Sequence, residues 1–273
     1  MTSPDEWPEQ YRQLLDLSAV SPGSVRKQMA TGNPIPTDRQ LADSRSAPVS
    51  LAGCITRPDL LRLRLSEPAD RPLSAQMLRI RASVLHQDLA LTVVAPLVCD
   101  FLFEGDTDSL APENIWLVDH RGSGPAWYRE NTGVRMSPDQ FIKQASAEVT
   151  RWYPMFRQIL GVSPGAYWSS IGLAFSAPFS ALYDSTPPEH LCQAATDWLA
   201  LFDCDARRFI DWIPAEFDRH PCAIPQRRGC CLKYRLPGGV RCGTCGLYRK
   251  ERMATLKPLR SGSTRPEHWS PAQ

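Results

Sequence analysis

Four of the chain's nine cysteines, Cys230, Cys231, Cys242 and Cys245, fall within 16 residues, and any fold must let that stretch turn back on itself. Their spacing is CC-x10-C-x2-C. Between the pairs, Leu232, Tyr234 and Leu236 alternate with polar residues, Pro237-Gly238-Gly239 supplies a turn and Val240 begins a return. That pattern predicts a hairpin that brings the two pairs together. Gly243 and Gly246 let the backbone curl around the second pair and aim N–H groups at sulfur.

Four thiolates can hold zinc, a mononuclear iron or an iron–sulfur cluster. Structural zinc sites draw each ligand pair from Cys-x2-4-Cys, and here only Cys242 and Cys245 fit that form. Adjacent cysteines sit about 3.8 Å apart at Cα and tend to point apart, which suits a rhomb of two irons and two sulfides better than one small ion. A metal-free redox Cys-x2-Cys beside two vicinal thiols is a further reading. His220 and Cys222 are candidate replacement ligands, although a surface histidine and a packed cysteine explain them more simply. The scattered Cys54, Cys99, Cys192 and Cys204 read as small buried apolar side chains.

Placed near the C-terminus, the quartet resembles the siderophore-iron reductase (FhuF-type) family, and all four positions match its unusual vicinal pattern. The resemblance implies a 2Fe-2S cluster on Cys230, Cys231, Cys242 and Cys245. It also implies one-electron reduction of siderophore-bound Fe(III) to Fe(II), with release of iron in the cytoplasm. The His86 helix, the Trp127-Tyr128 hairpin and the helix start at Tyr167-Trp168-Ser169-Ser170 are similar in layout to that family's helical domain. Its partners would be a ferric siderophore and an electron donor of ferredoxin or flavoprotein type, with no nucleic acid. Two other functions fit the same residues: an iron–sulfur carrier or redox sensor acting on a protein partner, and a zinc-stabilised module that places a basic face on nucleic acid.

The expected fold is α+β and predominantly α-helical, a helical substrate domain with a small C-terminal 2Fe-2S hairpin segment. Residues 1–70 read as a loose lead-in or a variable small-helix region, 71–220 as the siderophore-binding domain, 221–255 as the cluster segment and 256–273 as a tail. With 273 residues, 42% of them hydrophobic, the chain can bury a real core, while 25 prolines imply many interrupted elements. Ser74 to Phe103 reads as a core helix that Pro96 kinks or ends. Asn114 to Tyr128 reads as a hairpin. Ser137-Pro138-Asp139-Gln140 and Thr186-Pro187-Pro188-Glu189 read as helix starts, the first of these helices kinked near Pro154. The uncharged window Gln158 to Tyr183 carries too many serines, prolines and glycines for a membrane span and is better read as a buried helix pair. The acidic first ten residues lack a secretory pattern, so a cytoplasmic location is expected.

Charge is concentrated around the cysteines. From Gln226 to Arg252 eight basic residues face one acidic residue, a local net of +7 on a chain whose total is +2. Such a patch can attract an anionic ferric complex or an acidic donor, and it leaves room for peripheral contact with the cytoplasmic face of the inner membrane. Candidate substrate residues are His86, Trp127, Arg129 and Trp168, polar or aromatic groups near predicted element ends, together with Arg235 and Arg241 from the patch.

Overall fold

A computed structural model describes residues 3–29, 47–66, 73–120, 124–217 and 219–255. Its centre is one long helix, Ala75–Glu104. Ser74 caps it, its Oγ accepting the Met77 N–H at 3.2 Å, and Gly105 ends it in the left-handed conformation at φ 81°. Pro96 neither ends nor breaks this element. The turn Ala90–Val94 widens into a π-helix just before the proline, which lets the chain pass the missing N–H while staying helical. The helix is apolar enough to cross a bilayer, with a mean hydropathy of 1.5, but 67% of that window is buried against the rest of the protein. It is a core helix.

Around it pack Trp7–Leu17, Pro138–Pro154, Pro164–Phe175 and Pro188–Leu199. The Ser137 N–H donates to Gln140 Oε1 at 3.0 Å, as a capping box requires, and a π turn over Met155–Ile159 follows Pro154. Pro164–Phe175 and the short helix Ala177–Ser180 form the buried pair expected in the uncharged window. At the fourth helix the N-cap is Pro187 rather than Thr186, whose hydroxyl instead meets Ser18 Oγ at 2.5 Å. That contact ties the first helix to the fourth.

Among the described residues before 67, Trp7–Leu17, Pro22–Met29, Leu51–Thr56 and Pro58–Ser66 are short helices. Trp7 is buried against Trp198 and Phe179, with ring centroids 5.3 and 6.1 Å away, and Tyr11 donates its hydroxyl to the Pro178 carbonyl at 2.8 Å. Truncating such a buried tryptophan to alanine costs about 3–5 kcal/mol, so this helix is part of the core and not an appendage.

The strands are few. Ile115–His120 and Gly124–Arg129 form the expected antiparallel hairpin, with Leu117 opposite Trp127, and Val49–Ser50 joins its free edge. Its turn at residues 121–123 lies outside the described residues, as does the tail 256–273. A second hairpin, Ile210–Phe217 with His220–Arg227, leads directly into the cysteine segment.

Candidate metal centre

The last strand delivers the chain to the N-terminal end of helix Pro164–Phe175. There Gly229 crosses the helix so closely that an added Cβ would stand 2.0 Å from the Gly165 carbonyl carbon and 2.5 Å from the Ala166 nitrogen. On the return pass, a Cβ on Gly246 would lie 2.6 Å from the Gly229 oxygen. Three glycines therefore stack backbone on backbone; at Gly229 and Gly246 only a residue without a side chain permits the approach, while a Cβ on Gly165 would stand 3.3 Å from the Gly229 Cα. The Arg227 N–H donates to the Thr244 carbonyl at 3.3 Å and the Arg228 N–H to the Phe209 carbonyl at 2.9 Å, so both ends of the cysteine segment are anchored.

Between these anchors the expected strands do not form. Leu232 adopts a left-handed backbone at φ 64°, Lys233–Arg235 follow as a single 3-10 turn, and residues 236–245 run as turns. The reversal at Leu232 removes the alternation on which a hairpin depends. One cysteine of each pair nevertheless meets one of the other. Cys230 Sγ lies 3.6 Å from Cys245 Sγ, the Leu232 N–H points at Cys230 Sγ from 3.4 Å, and the Cys245 N–H donates to the Cys242 carbonyl at 3.0 Å. Cys231 and Cys245 are buried, while Cys230 and Cys242 are half-buried.

This donor set, four thiols in one short segment, suits a thiophilic metal group. Metal–sulfur bonds of about 2.3 Å at a tetrahedral ion place its sulfurs about 3.8 Å apart, close to the separation of Cys230 and Cys245. Among the described residues no three Cys, His, Asp or Glu side chains converge on one point, so one sulfur from each pair is brought together and not the whole quartet. A hydrogen bond from Cys230, the Lys233 N–H and the Arg227 guanidinium together outweigh burial and draw the Cys231 thiol down to about 5, while Cys230 is pushed up.

Residues 227–246 match the FhuF 2Fe-2S C-terminal domain. The cofactor of this segment is a 2Fe-2S cluster, and all four cysteines lie within it. The match agrees with the FhuF-type siderophore-iron reductase resemblance carried by the vicinal pair, and it leaves the helical body unmatched. Comparison with curated proteins gives no match.

The other expected residues are spread around the FhuF-type segment in different roles. His86 is wholly buried, stacked on Tyr167 at 4.0 Å and edge-on to Phe156 at 4.7 Å. Burial first, and the Arg227 charge second, hold its pKa down to about 3, so it is a neutral ring inside the core. Trp127 is also core, its indole N–H donating to the Leu85 carbonyl at 3.1 Å. Arg129 is committed to Asp108, with 2.8 Å between Nη1 and Oδ2. Trp168 lines a cavity of about 470 Å³ with Thr150, Cys204, Asp205 and Arg207. Arg235 and Arg241 are exposed and both lie over the Tyr234 ring, at 5.8 and 5.3 Å, while Arg241 and Arg252 flank Tyr248 at 5.8 and 5.3 Å. These cation–π contacts link residues on both sides of Cys242 and Cys245 along the chain.

Five residues counted in the basic patch or near it turn out differently. Arg228 and Arg249 share Asp211, which neutralises part of the patch. Cys222 is buried between Ile213 and Ile224, and His220 lies at the far end of the strand, about 23 Å from Arg227 at 3.3 Å per residue. Neither joins the quartet. Arg227, read from sequence as surface charge, is wholly buried beside Cys231.

Proposed function

We propose that the chain is a ferric-siderophore reductase, in which Cys230, Cys231, Cys242 and Cys245 hold the 2Fe-2S cluster at the edge of a helical body. The observation that supports this reading is the match of residues 227–246 to the FhuF 2Fe-2S C-terminal domain, in which Cys230 Sγ stands 3.6 Å from Cys245 Sγ and Cys230 and Cys242 are partly open to solvent. When bound, the cluster supplies electrons singly, which matches the one-electron step from Fe(III) to Fe(II). Hard anionic siderophore oxygens hold Fe(III) strongly and Fe(II) weakly, so reduction releases the metal without destroying the ligand.

The protein's own part is to hold, shield and steer. The three-glycine junction fixes the cysteine segment on helix Pro164–Phe175, and burial of Cys231 and Cys245 keeps water from one side. On the other side Lys233, Arg235 and Arg241 present positive charge to an anionic ferric complex or to an acidic donor of ferredoxin or flavoprotein type. The test is to mix dithionite-reduced protein with ferric hydroxamate and ferric catecholate complexes in the presence of a ferrous chelator. Trapped Fe(II), formed in proportion to reduced protein, is the expected result. Reduced protein that yields none with any complex would favour an electron carrier for a protein partner.

A further inference from the structure

A positive charge buried without a negative one is costly, several kcal/mol even after relaxation, and an arginine cannot shed its proton to avoid that cost. Arg227 is such a residue. It has no exposed surface, its Nε donates to Ser169 Oγ at 3.1 Å, and its Nη2 donates to Ser170 Oγ at 2.7 Å and to the Ala166 carbonyl at 3.4 Å. These partners are neutral. Its Nη1 has no partner, and among the described residues no carboxylate pairs with it. The cysteine segment lies on the same turn of helix: Gly229 packs against Ala166, whose carbonyl accepts from Nη2, and the Arg227 N–H donates to the carbonyl of Thr244, the neighbour of Cys245.

The two serines serve this arrangement. Ser169 and Ser170 are wholly buried on a helix that is otherwise apolar, and both hydroxyls turn to the guanidinium. They hold its plane in place while leaving one nitrogen free. A fork fixed in this way beneath the cysteine segment, with a spare donor, suits a permanent anion.

We infer that Arg227 is the internal countercharge of the 2Fe-2S cluster and that it raises the cluster's reduction potential. The inference rests on the cluster reading above. Four thiolates, two sulfides and two ferric irons carry two negative charges, and uptake of one electron makes three. A fixed cation stabilises the reduced form more than the oxidised one, so removing it makes reduction harder.

The test uses anaerobic full-length protein with Arg227→Gln and Arg227→Lys, titrated with dithionite and mediators while the visible absorption is followed. At the potential where the parent is half reduced, the glutamine variant is expected to show at least a tenfold lower ratio of reduced to oxidised cluster, about 59 mV for one electron. The lysine variant should stay within threefold of the parent. An unmoved potential in cluster-loaded Arg227→Gln would overturn the inference and leave the reductase reading standing, whereas a parent without iron would remove both. Should Arg227→Gln take up no cluster, the metal-free chains decide. A countercharge predicts metal-free Arg227→Gln to melt no lower than metal-free parent, because the cation is uncompensated there. A lower melting point would mark Arg227 as a structural bolt and refute the proposal.

Discussion

Replacing Gly229 by alanine asks whether the cysteine segment is held where its chemistry requires. The new methyl would meet the Gly165 carbonyl carbon at 2.0 Å, its oxygen at 2.1 Å and the Ala166 nitrogen at 2.5 Å, all of them backbone atoms that cannot swing aside. Ordinary contact needs about 3.5 Å, so the strand end must retreat by more than about 1 Å. Gly246 presses on Gly229 from the returning chain and blocks that retreat. Overpacking of this kind costs about 1–3 kcal/mol, and a backbone clash belongs at the upper end. At roughly 2–4 °C per kcal/mol for a chain of this size, the variant should melt about 6–12 °C lower or lose its cluster as the segment lifts away. Calorimetry of the Gly229→Ala protein together with its iron content measures both outcomes. Gly243→Ala is the control, because a methyl there meets nothing within 4 Å. A Gly229→Ala protein that melts with the parent and carries full iron would refute the reasoning.

Other substitutions probe separate parts of the structure. Cys222→Ser should keep its cluster and lose only about 1–2 kcal/mol of stability, whereas Cys231→Ser should lose the cluster, as iron analysis of the two would show. Asp108 is opposed by burial, but hydrogen bonds from the Thr132 hydroxyl and N–H, from the Ser109 N–H, and the charge of Arg129 hold its carboxyl below the usual carboxylate range. A depressed folded pKa gives stability that is present above the ordinary carboxylate value near 4 and lost as pH falls through the folded one. Asp108→Asn should therefore cost about 1–3 kcal/mol at neutral pH and flatten the loss of stability below about pH 4 in denaturation curves. Charge reversal of Arg235 and Arg241 together should slow Fe(III) reduction and weaken its dependence on salt; stopped-flow rates unchanged across ionic strengths would remove their docking role.

What could be read from the sequence follows from how local each signal is. Ser74 and Ser137 mark helix starts because a cap is decided within four residues, and the quartet is visible because ligand spacing is itself local. The hairpin Ile210–Phe217 with His220–Arg227 was not legible, since Pro214, Pro221 and Pro225 interrupt it and prolines normally argue against strands. A two-stranded ribbon has two free edges, and its prolines face outward there without losing a ladder bond. The turn at Leu232 is not legible for the opposite reason, because a left-handed leucine carries no sequence signature. Arg227 looked like surface charge because its neighbours are basic. Its burial depends on Ser169 and Ser170, nearly sixty positions away, and a cation can be matched to such partners only when the fold is known.

The account turns on the group that the four cysteines hold, and chemical analysis of anaerobically isolated protein reads that directly. Two irons and two acid-labile sulfides per chain, with visible absorption that bleaches on one-electron reduction and disappears in Cys230→Ser and Cys242→Ser, is the predicted result. One zinc per chain, or a colourless protein whose quartet is closed as disulfides, would contradict it.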